Sequence, residues 1–367
     1  MNNVENTLNS KNLLRKNYYL GSIALLIAAV GLIVTRLLFG LGAFDNMPTA
    51  VSDFLGSFII QIVFIGGGGL IVLSIQHYWG VGKNKVLLAQ DTDKKTGIKS
   101  RLKEMGFRLP RIYLIPLSFL LGILFFIMTI GVSYINQLIL LLMGYNIPTY
   151  TEEAAGGIGL FLLALFTTAV LPGICEEFLN RGLVLRGLRD TMQDKYAIII
   201  SALIFGLLHA NVRQTLYTLA GGIIFATLTV KTKSIYPAMI IHFMNNAISV
   251  YSSHAYYNGW IGGNLDSFLI DHFVLSVVLW LIFTALFIGV LVWIVRAETK
   301  HQKKFELEKP VESDSLMNLT QVDSPFGVFF ARKVPLYKPH LEDKIIMFTS
   351  VFLLAVTTAL SFYMGLF

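Results

Sequence analysis

Two adjacent glutamates stand in one of the most apolar stretches of the chain, within the run CEEFLNRG at residues 175–182. An ionisable residue inside a membrane span is costly, so its first interpretation is a functional one. Glu177 and Arg181 are four residues apart, so they share one helix face and can pair. Glu176 is then offset by about 100°. We therefore predict that Arg181 neutralises and anchors Glu177, which leaves Glu176 free for chemistry.

Two further motifs carry polar residues in apolar surroundings. Phe205 and His209 are four residues apart, as are His242 and Asn246, so each pair shares a helix face. A glutamate could accept a proton from water with help from one histidine, while the other histidine and an amide could stabilise an oxyanion. A metal site is the second interpretation, because Glu176, His209 and His242 are a plausible zinc set with water as fourth ligand.

The composition places these motifs in a membrane protein. Of 367 residues, 55% are hydrophobic and only 14% are charged, and several apolar runs exceed the roughly 18 residues of a membrane span. Alternating apolar and polar residues, typical of a membrane barrel, are absent. We predict an all-α fold, a polytopic transmembrane helix bundle of about eight to nine spans. The nine candidate spans are 19–39, 56–78, 112–143, 156–190, 196–210, 215–230, 236–250, 273–295 and 345–367.

The positions of the basic residues predict the topology. The formal net charge is +7, but Lys and Arg cluster in loops between apolar runs, so nucleic acid is not an expected partner. The basic residues before the first span and in the loop at 83–111 place the N-terminus in the cytoplasm. We expect a multi-pass protein of a bacterial plasma membrane that contacts lipids. Cys175 is the only cysteine, which excludes an intramolecular disulfide.

Three regions follow from the spans. Residues 1–104 form a two-span region with a basic cytoplasmic loop, and residues 105–255 form a catalytic membrane core. Residues 256–367 hold the last spans and a cytoplasmic loop at about 297–342. A rise of about 1.5 Å per residue, counted from the predicted cytoplasmic ends, brings the three polar motifs to overlapping depths of roughly 10 to 20 Å.

Each motif also has a purely structural interpretation. The acidic motif can be an ion-pair network, His209 can bond a backbone carbonyl, and His242 with Asn246 can join helices. Two further functions are a proton-coupled transporter and a catalytically idle scaffold that recruits a partner. A transporter would show an inverted repeat between its halves, and none is visible. A scaffold is expected to lose the glutamate or histidine positions, and here both are intact.

Taken in chain order, the motifs resemble the signature of the CPBP family, the CAAX-prenyl-protease and bacteriocin-processing intramembrane enzymes, also called the Abi family. The resemblance covers roughly residues 105–250 and rests on Glu176-Glu177-x-x-x-Arg181, Phe205-x-x-x-His209 and His242-x-x-x-Asn246. The first two spans and the last ones are not explained by it.

The resemblance implies an endopeptidase within the membrane that cleaves a membrane-associated peptide or protein. By analogy, Glu176 activates water with His209, while His242 and Asn246 form the oxyanion hole. Glu177 belongs to the same catalytic set, and Phe205 packs within the motif. No cofactor is required in this interpretation, with a divalent metal such as zinc as the alternative. Eukaryotic members trim prenylated CAAX proteins, and many bacterial members are linked to bacteriocin immunity or peptide maturation.

Overall fold

A computed structural model describes residues 2–74, 102–146, 157–307 and 339–364. These residues form helices and turns, and no strand occurs among them, which confirms the predicted all-α fold. The helices are α1 (Asn2–Gly40), α2 (Thr49–Ser74), α3 (Leu114–Leu142), α4 (Ile158–Thr191), α5 (Asp194–Leu208), α6 (Thr215–Thr232), α7 (Tyr236–Asn258), α8 (Leu265–Asp271), α9 (Phe273–Leu307) and α10 (Leu341–Met364).

Six helices in the described part of the chain are long and apolar enough to cross a membrane: α1 from Asn17 onward, α2, α3, α4, α9 and α10. The prediction of a multi-pass membrane bundle is therefore confirmed, and the predicted number of spans is approximate. Helices α5, α6 and α7 lie where three further spans were predicted. They are the shorter or more polar helices, and they carry two of the three polar motifs.

The short and polar helices are covered by protein on part of their surface, and α5 keeps Tyr196, Ile199 and Leu203 exposed. Helix α5 has 15 residues and a length of about 22 Å, less than the roughly 30 Å of a hydrocarbon core. It packs against α6, while α7 packs against α3 and α4. Because neighbouring helices cover them, these elements need less apolar surface than a helix that faces lipid on most sides.

Two hydrophobic clusters meet at the site. One joins α1, α2, α4, α5 and α10 and includes the fully buried Leu25, Leu179 and Leu354. The other joins α3, α5, α6, α7 and α9 and includes Leu121 and Phe225. Helices α4 and α7, from different clusters, pack against each other and carry the glutamates and His242. The polar motifs therefore lie between the two clusters.

The glycine run at 66–69 permits close packing of α2. A Cβ atom at Gly68 would lie 2.7 Å from the Ile27 side chain in α1. A Cβ atom at Gly69 would lie 2.5 Å from the Phe178 ring in α4. Both separations are shorter than real contacts, so only glycine lets α2 approach these two helices so closely.

Three predicted boundaries were wrong. Helix α9 continues to Leu307, so the predicted loop at about 297–342 begins later, because no Gly or Pro interrupts the helix formers after Arg296. Helix α7 continues beyond residue 250 to Asn258 and ends at Gly259, which adopts the left-handed conformation. Helix α2 begins at Thr49, before the predicted start at residue 56, and Pro48 occupies the position that precedes its first turn.

Candidate active site

Widened turns in α4 set the direction of the two glutamates. The α-helical stretch Leu171–Glu177 lies between two π-helical segments, Leu165–Val170 and Phe178–Val184. Pro172, near the start of this stretch, has no N–H to donate, and the wide turn before it accommodates this loss. Such π-bulges are frequent at functional sites because they change the direction of a side chain without ending the helix.

Glu177 joins α4 to α7 deep in the protein. Its side chain is fully buried, and its Oε1 atom accepts a hydrogen bond from Arg181 Nη1 at 3.1 Å. Nδ1 of His242 lies 2.9 Å from the same oxygen. One carboxylate thus fixes both a cation on its own helix and an imidazole on a neighbouring helix, so it orients the ring of His242.

Arg181 is held by more than its carboxylate partner. Its side chain is 1% exposed, and the guanidinium carbon lies 4.4 Å from the centre of the Phe205 ring and 5.2 Å from that of Phe225. Its Nη2 atom donates to the carbonyl of Gly222 at 3.4 Å. Cation–π contacts of this kind are stronger where water is excluded. Phe205 therefore has a packing role beneath the site, and its ring also contacts His242 edge-on.

Glu176 has different surroundings. Its Oε1 atom accepts a hydrogen bond of 2.6 Å from Nε2 of Gln61 in α2. Its Oε2 atom lies 4.0 Å from His242 Nε2 and has no hydrogen-bond partner among the described residues. The side chain is 13% exposed. One carboxylate oxygen is thus fixed, while the other is a buried acceptor without a partner among the described residues.

Gln61 is a site residue that the sequence analysis missed. It is 7% exposed and lies in the π-helical segment Ile59–Gly67 of α2, outside the region of the CPBP resemblance. The feature of the sequence that could have indicated Gln61 is its residue type, since an amide within an apolar span is costly and needs a partner. No local spacing, however, connects residue 61 with residue 176.

His209 follows the last residue of α5. Its Nδ1 atom lies 2.9 Å from the carbonyl oxygen of Phe205, which is the backbone bond that its structural interpretation predicts. Because a carbonyl only accepts, this geometry assigns the proton to Nδ1 and leaves Nε2 as the acceptor. Arg36 of α1 stabilises the same turn, since its Nη2 atom donates to the carbonyl of Ala210 at 2.6 Å.

A short chain of amides orients Asn246. The Nδ2 atom of Asn246 donates to the carbonyl of Thr168 in α4 at 2.9 Å, and its Oδ1 atom accepts from Asn245 Nδ2 at 3.0 Å. Thr129 in α3 hydrogen bonds Asn245 in turn, at 3.2 Å. A side-chain amide has two N–H groups, so Asn246 keeps a second donor for a ligand.

One cavity of about 730 Å³ brings most of the predicted residues together. Glu176, His209, His242 and Asn246 all line it, with Phe205 on the same wall. Glu177 and Arg181 are not among its lining residues. Other polar side chains on its wall are Tyr134, Gln137, Arg213, Gln214, Tyr217 and Asn245. The cavity is large enough for a peptide segment and combines a carboxylate with donors and acceptors on facing helices.

The proposed zinc ligands are not arranged as a metal site. Within the described ranges, no three His, Cys, Asp or Glu side chains form a group that could hold a metal ion. The residues as placed do not fit the predicted set of Glu176, His209 and His242, so no catalytic step is assigned to a metal.

Comparisons with known proteins point to one family. Residues 158–248 match the family model described as type II CAAX prenyl endopeptidase Rce1-like. Over 88 residues, the chain is 31% identical to a Bacillus subtilis (strain 168) protein named "Putative membrane peptidase YdiL". That match covers 24% of this chain and 36% of the relative, so the chain spans about a third of the relative's length. No solved structure matches.

These matches confirm the resemblance to the CPBP family, in which the Rce1-like proteins are grouped. The matched segment runs from the start of α4 into α7, so it contains all three polar motifs. Helices α1 and α2, which supply Arg36 and Gln61, lie outside it. The family implies a protease.

Proposed function

We propose that this protein is an intramembrane endopeptidase in which Glu176 activates water. The observation that carries the proposal is the single cavity lined by Glu176, His209, His242 and Asn246. Within it, one oxygen of Glu176 is fixed by Gln61, and the other faces the ring of His242. A carboxylate held at one oxygen, with a buried and unpartnered oxygen that faces the imidazole, suits a general base.

In the first step, Glu176 Oε2 removes a proton from water as the water oxygen attacks the peptide carbonyl carbon. Nε2 of His209 accepts a hydrogen bond from the same water and directs its lone pair. The proton then moves from Glu176 to the leaving nitrogen, the carbon–nitrogen bond breaks, and the carboxylate is restored. No atom outside the substrate and water is consumed.

The second role is stabilisation of the oxyanion. The free N–H of Asn246 and Nε2 of His242 would donate to it, each held by a partner on α4. His242 can donate from Nε2 while bonding Glu177 through Nδ1 only when both ring nitrogens carry protons. The two carboxylates at 176 and 177 then balance the charges of Arg181 and His242, which makes the group neutral.

The proposed substrate is a membrane-associated peptide or protein. Apolar and polar residues both line the cavity, and Arg213, Gln214 and Tyr217 offer polar contacts beyond the reacting groups. The resemblance includes CAAX proteases and bacteriocin-processing enzymes, so a lipidated protein C-terminus or a small secreted peptide is the expected class. Nothing in the cavity requires a nucleic acid or a nucleotide.

The test compares protein termini in cells, because it does not require the substrate to be known. Cells lacking their own copy would express the wild type or Glu176→Gln at equal membrane abundance, and mass spectrometry would map the ends of membrane proteins and small peptides. We expect a set of termini present with the wild type and absent with Glu176→Gln. A general base of this kind contributes about 10²- to 10⁴-fold, so cleavage should be undetectable in the variant.

The matched control is Asn180→Ser, which removes a buried amide one helical turn from Glu176. Asn180 Nδ2 bonds only the backbone carbonyl of Glu176, and its side chain is not on the cavity wall. The protein termini found in cells that express Asn180→Ser should match those found with the wild type. Identical termini in wild type and Glu176→Gln would remove the peptidase and leave the scaffold as the function.

A further inference from the structure

A second cavity is separate from the proposed active site, to which it is joined through Arg181, the partner of Glu177. Its volume is about 220 Å³, and its walls come from the segment before α3, the C-terminal half of α4 and the end of α6. A water molecule occupies about 30 Å³ of liquid, so this cavity holds a small polar group and some water rather than a peptide. Its lining is mostly basic.

The charge of this cavity is strongly one-sided. Six basic side chains line it against the single carboxylate of Glu104, namely Lys103, Arg108, Arg181, Arg186, Arg189 and Lys233. Glu104 pairs with Arg186 at 2.9 Å. Arg189 pairs with Asp194 at 2.8 Å, and Arg181 pairs with Glu177 at 3.1 Å. For Lys103, Arg108 and Lys233, no carboxylate partner occurs among the described residues. A net positive cavity results, and it favours an anion.

The backbone that carries these cations is fixed, although the side chains of Lys103, Arg108 and Lys233 are exposed. Gly106 has a positive φ of 94°, and its carbonyl accepts from the backbone N–H of Ile235 at 2.9 Å. The carbonyl of Arg108 accepts from Ser234 Oγ at 2.6 Å. Nε of Arg108 donates to the carbonyl of Lys103 at 2.8 Å. These bonds hold the segment that carries Lys103 and Arg108 against the turn that carries Lys233.

Arg181 supplies the buried part of the lining. Its side chain is 1% exposed and contributes to this cavity, and its Nε–H has no hydrogen-bond partner among the described residues. A buried guanidinium donor without a partner is costly, and an anion in this cavity would supply one. Guanidinium groups bind phosphate oxygens through short, charge-assisted hydrogen bonds.

We propose that this basic cavity binds a phosphate group, either the headgroup of an anionic phospholipid or a free phosphate. Basic pockets between membrane helices bind phosphate headgroups in other membrane proteins. The basic loops predict that this end of the bundle faces the cytoplasm, where both sources occur. The proposal does not depend on peptidase activity, because it concerns a separate cavity and a binding equilibrium.

The test uses the full-length protein in dodecyl maltoside, a detergent without phosphate. One arm titrates sodium phosphate against sodium chloride at constant ionic strength, and the other adds phosphatidylglycerol to the micelles. Both arms follow the thermal unfolding midpoint, which rises as a ligand binds the folded state. The cavity variant combines Lys103→Gln with Lys233→Asn, since asparagine tolerates the φ of 55° at position 233. The control combines Lys300→Gln with Lys303→Gln, two exposed residues of α9.

The unfolding midpoints of the wild type and of the control should rise with added ligand and reach a plateau in at least one arm. The cavity variant should need at least about tenfold more ligand, which corresponds to losing one charged hydrogen bond. A rise with inorganic phosphate identifies a free phosphate site, and a rise with phosphatidylglycerol alone identifies a lipid site. The proposal is overturned by a flat response in both arms, or by equal responses of the cavity variant and the control.

Discussion

Glu176 and Glu177 are adjacent in sequence, yet they face two different regions of the molecule. Glu176 borders the cavity, with one oxygen bonded to an amide and the other without a partner among the described residues. Glu177 is fully buried between a guanidinium and an imidazole and is absent from the cavity wall. The same chemical group is therefore placed to move a proton at one position and to hold other side chains at the next.

This difference follows from what each surrounding does to a charge. A buried carboxylate between a guanidinium and an imidazole is held in place, because separating it from the guanidinium would leave an uncompensated charge in the interior. A carboxylate on a cavity wall keeps access to water and substrate. Two carboxylates with separate roles set by their environments are a recurring arrangement in hydrolases. Substitutions at both positions can test whether the roles at 176 and 177 are as distinct as the contacts indicate.

The largest effect on stability is expected for Glu177→Gln. The change leaves the Arg181 guanidinium buried without a counter-charge, which should cost about 3–5 kcal/mol of unfolding free energy. Cleavage should also fall, because His242 loses the carboxylate that orients it. Glu176→Gln should abolish cleavage while its unfolding midpoint stays near the wild type, because a glutamine there still accepts from Gln61. Thermal unfolding in detergent and the comparison of termini measure the two properties.

A double variant makes this test sharper. Glu177→Gln combined with Arg181→Met removes both buried charges, and replacing a buried pair by apolar groups is often neutral or stabilising. We expect the unfolding midpoint to recover while cleavage stays low. If Glu176→Gln and Glu177→Gln lowered the midpoint equally, the assignment of distinct roles would be wrong.

A smaller effect is expected at the proposed oxyanion hole. Asn246→Ala removes a donor from the cavity, and loss of one such donor reduces turnover by about 10²- to 10³-fold. Asn245→Ala removes the amide that orients Asn246, and with it a bond to Thr129, but it leaves the proposed oxyanion donor in place and should cost clearly less. Initial rates on a substrate identified from the termini measure both. Equal losses for the two variants would contradict a direct role for Asn246.

The sequence was sufficient to predict those features that depend on the spacing of residues within one helix. Residues four apart share a helix face, so the spacing alone predicts the pairing of Glu177 with Arg181 and the common face of His242 and Asn246. The costs of buried charge also indicated which residues are candidates for the chemistry. The membrane bundle followed from composition alone, although the helices covered by protein did not need the hydropathy of a lipid-facing span.

Contacts between distant helices could not be predicted in the same way. Nothing in the sequence near Gln61 or Arg36 shows that they reach Glu176 and the turn after His209. The contact of Gln61 depends on the close approach of α2 to α4, which the glycines permit, and on widened turns that no spacing rule predicts. As a result, the first two helices contribute to the site although the family resemblance does not include them.

The smallest predicted effect concerns this contribution of α2. Gln61→Leu keeps the approximate size of the side chain but removes the donor to Glu176 Oε1. The free carboxylate could then rotate, so the rate of cleavage should fall about tenfold, the equivalent of one hydrogen bond to a charged group. The matched control is Ser52→Ala in the same helix, because Ser52 is buried and bonds only the carbonyl of Thr49.

Two further measurements separate positioning by Gln61 from simple packing. Gln61→Asn retains an amide on a shorter side chain and should recover part of the rate, whereas Gln61→Glu places a second carboxylate against Glu176 and should reduce it further than leucine does. If Gln61 only packs, the cleavage rates of all three variants would instead fall in step with their unfolding midpoints. A full rate for Gln61→Leu at an unchanged midpoint would show that the peptidase site is complete without α2.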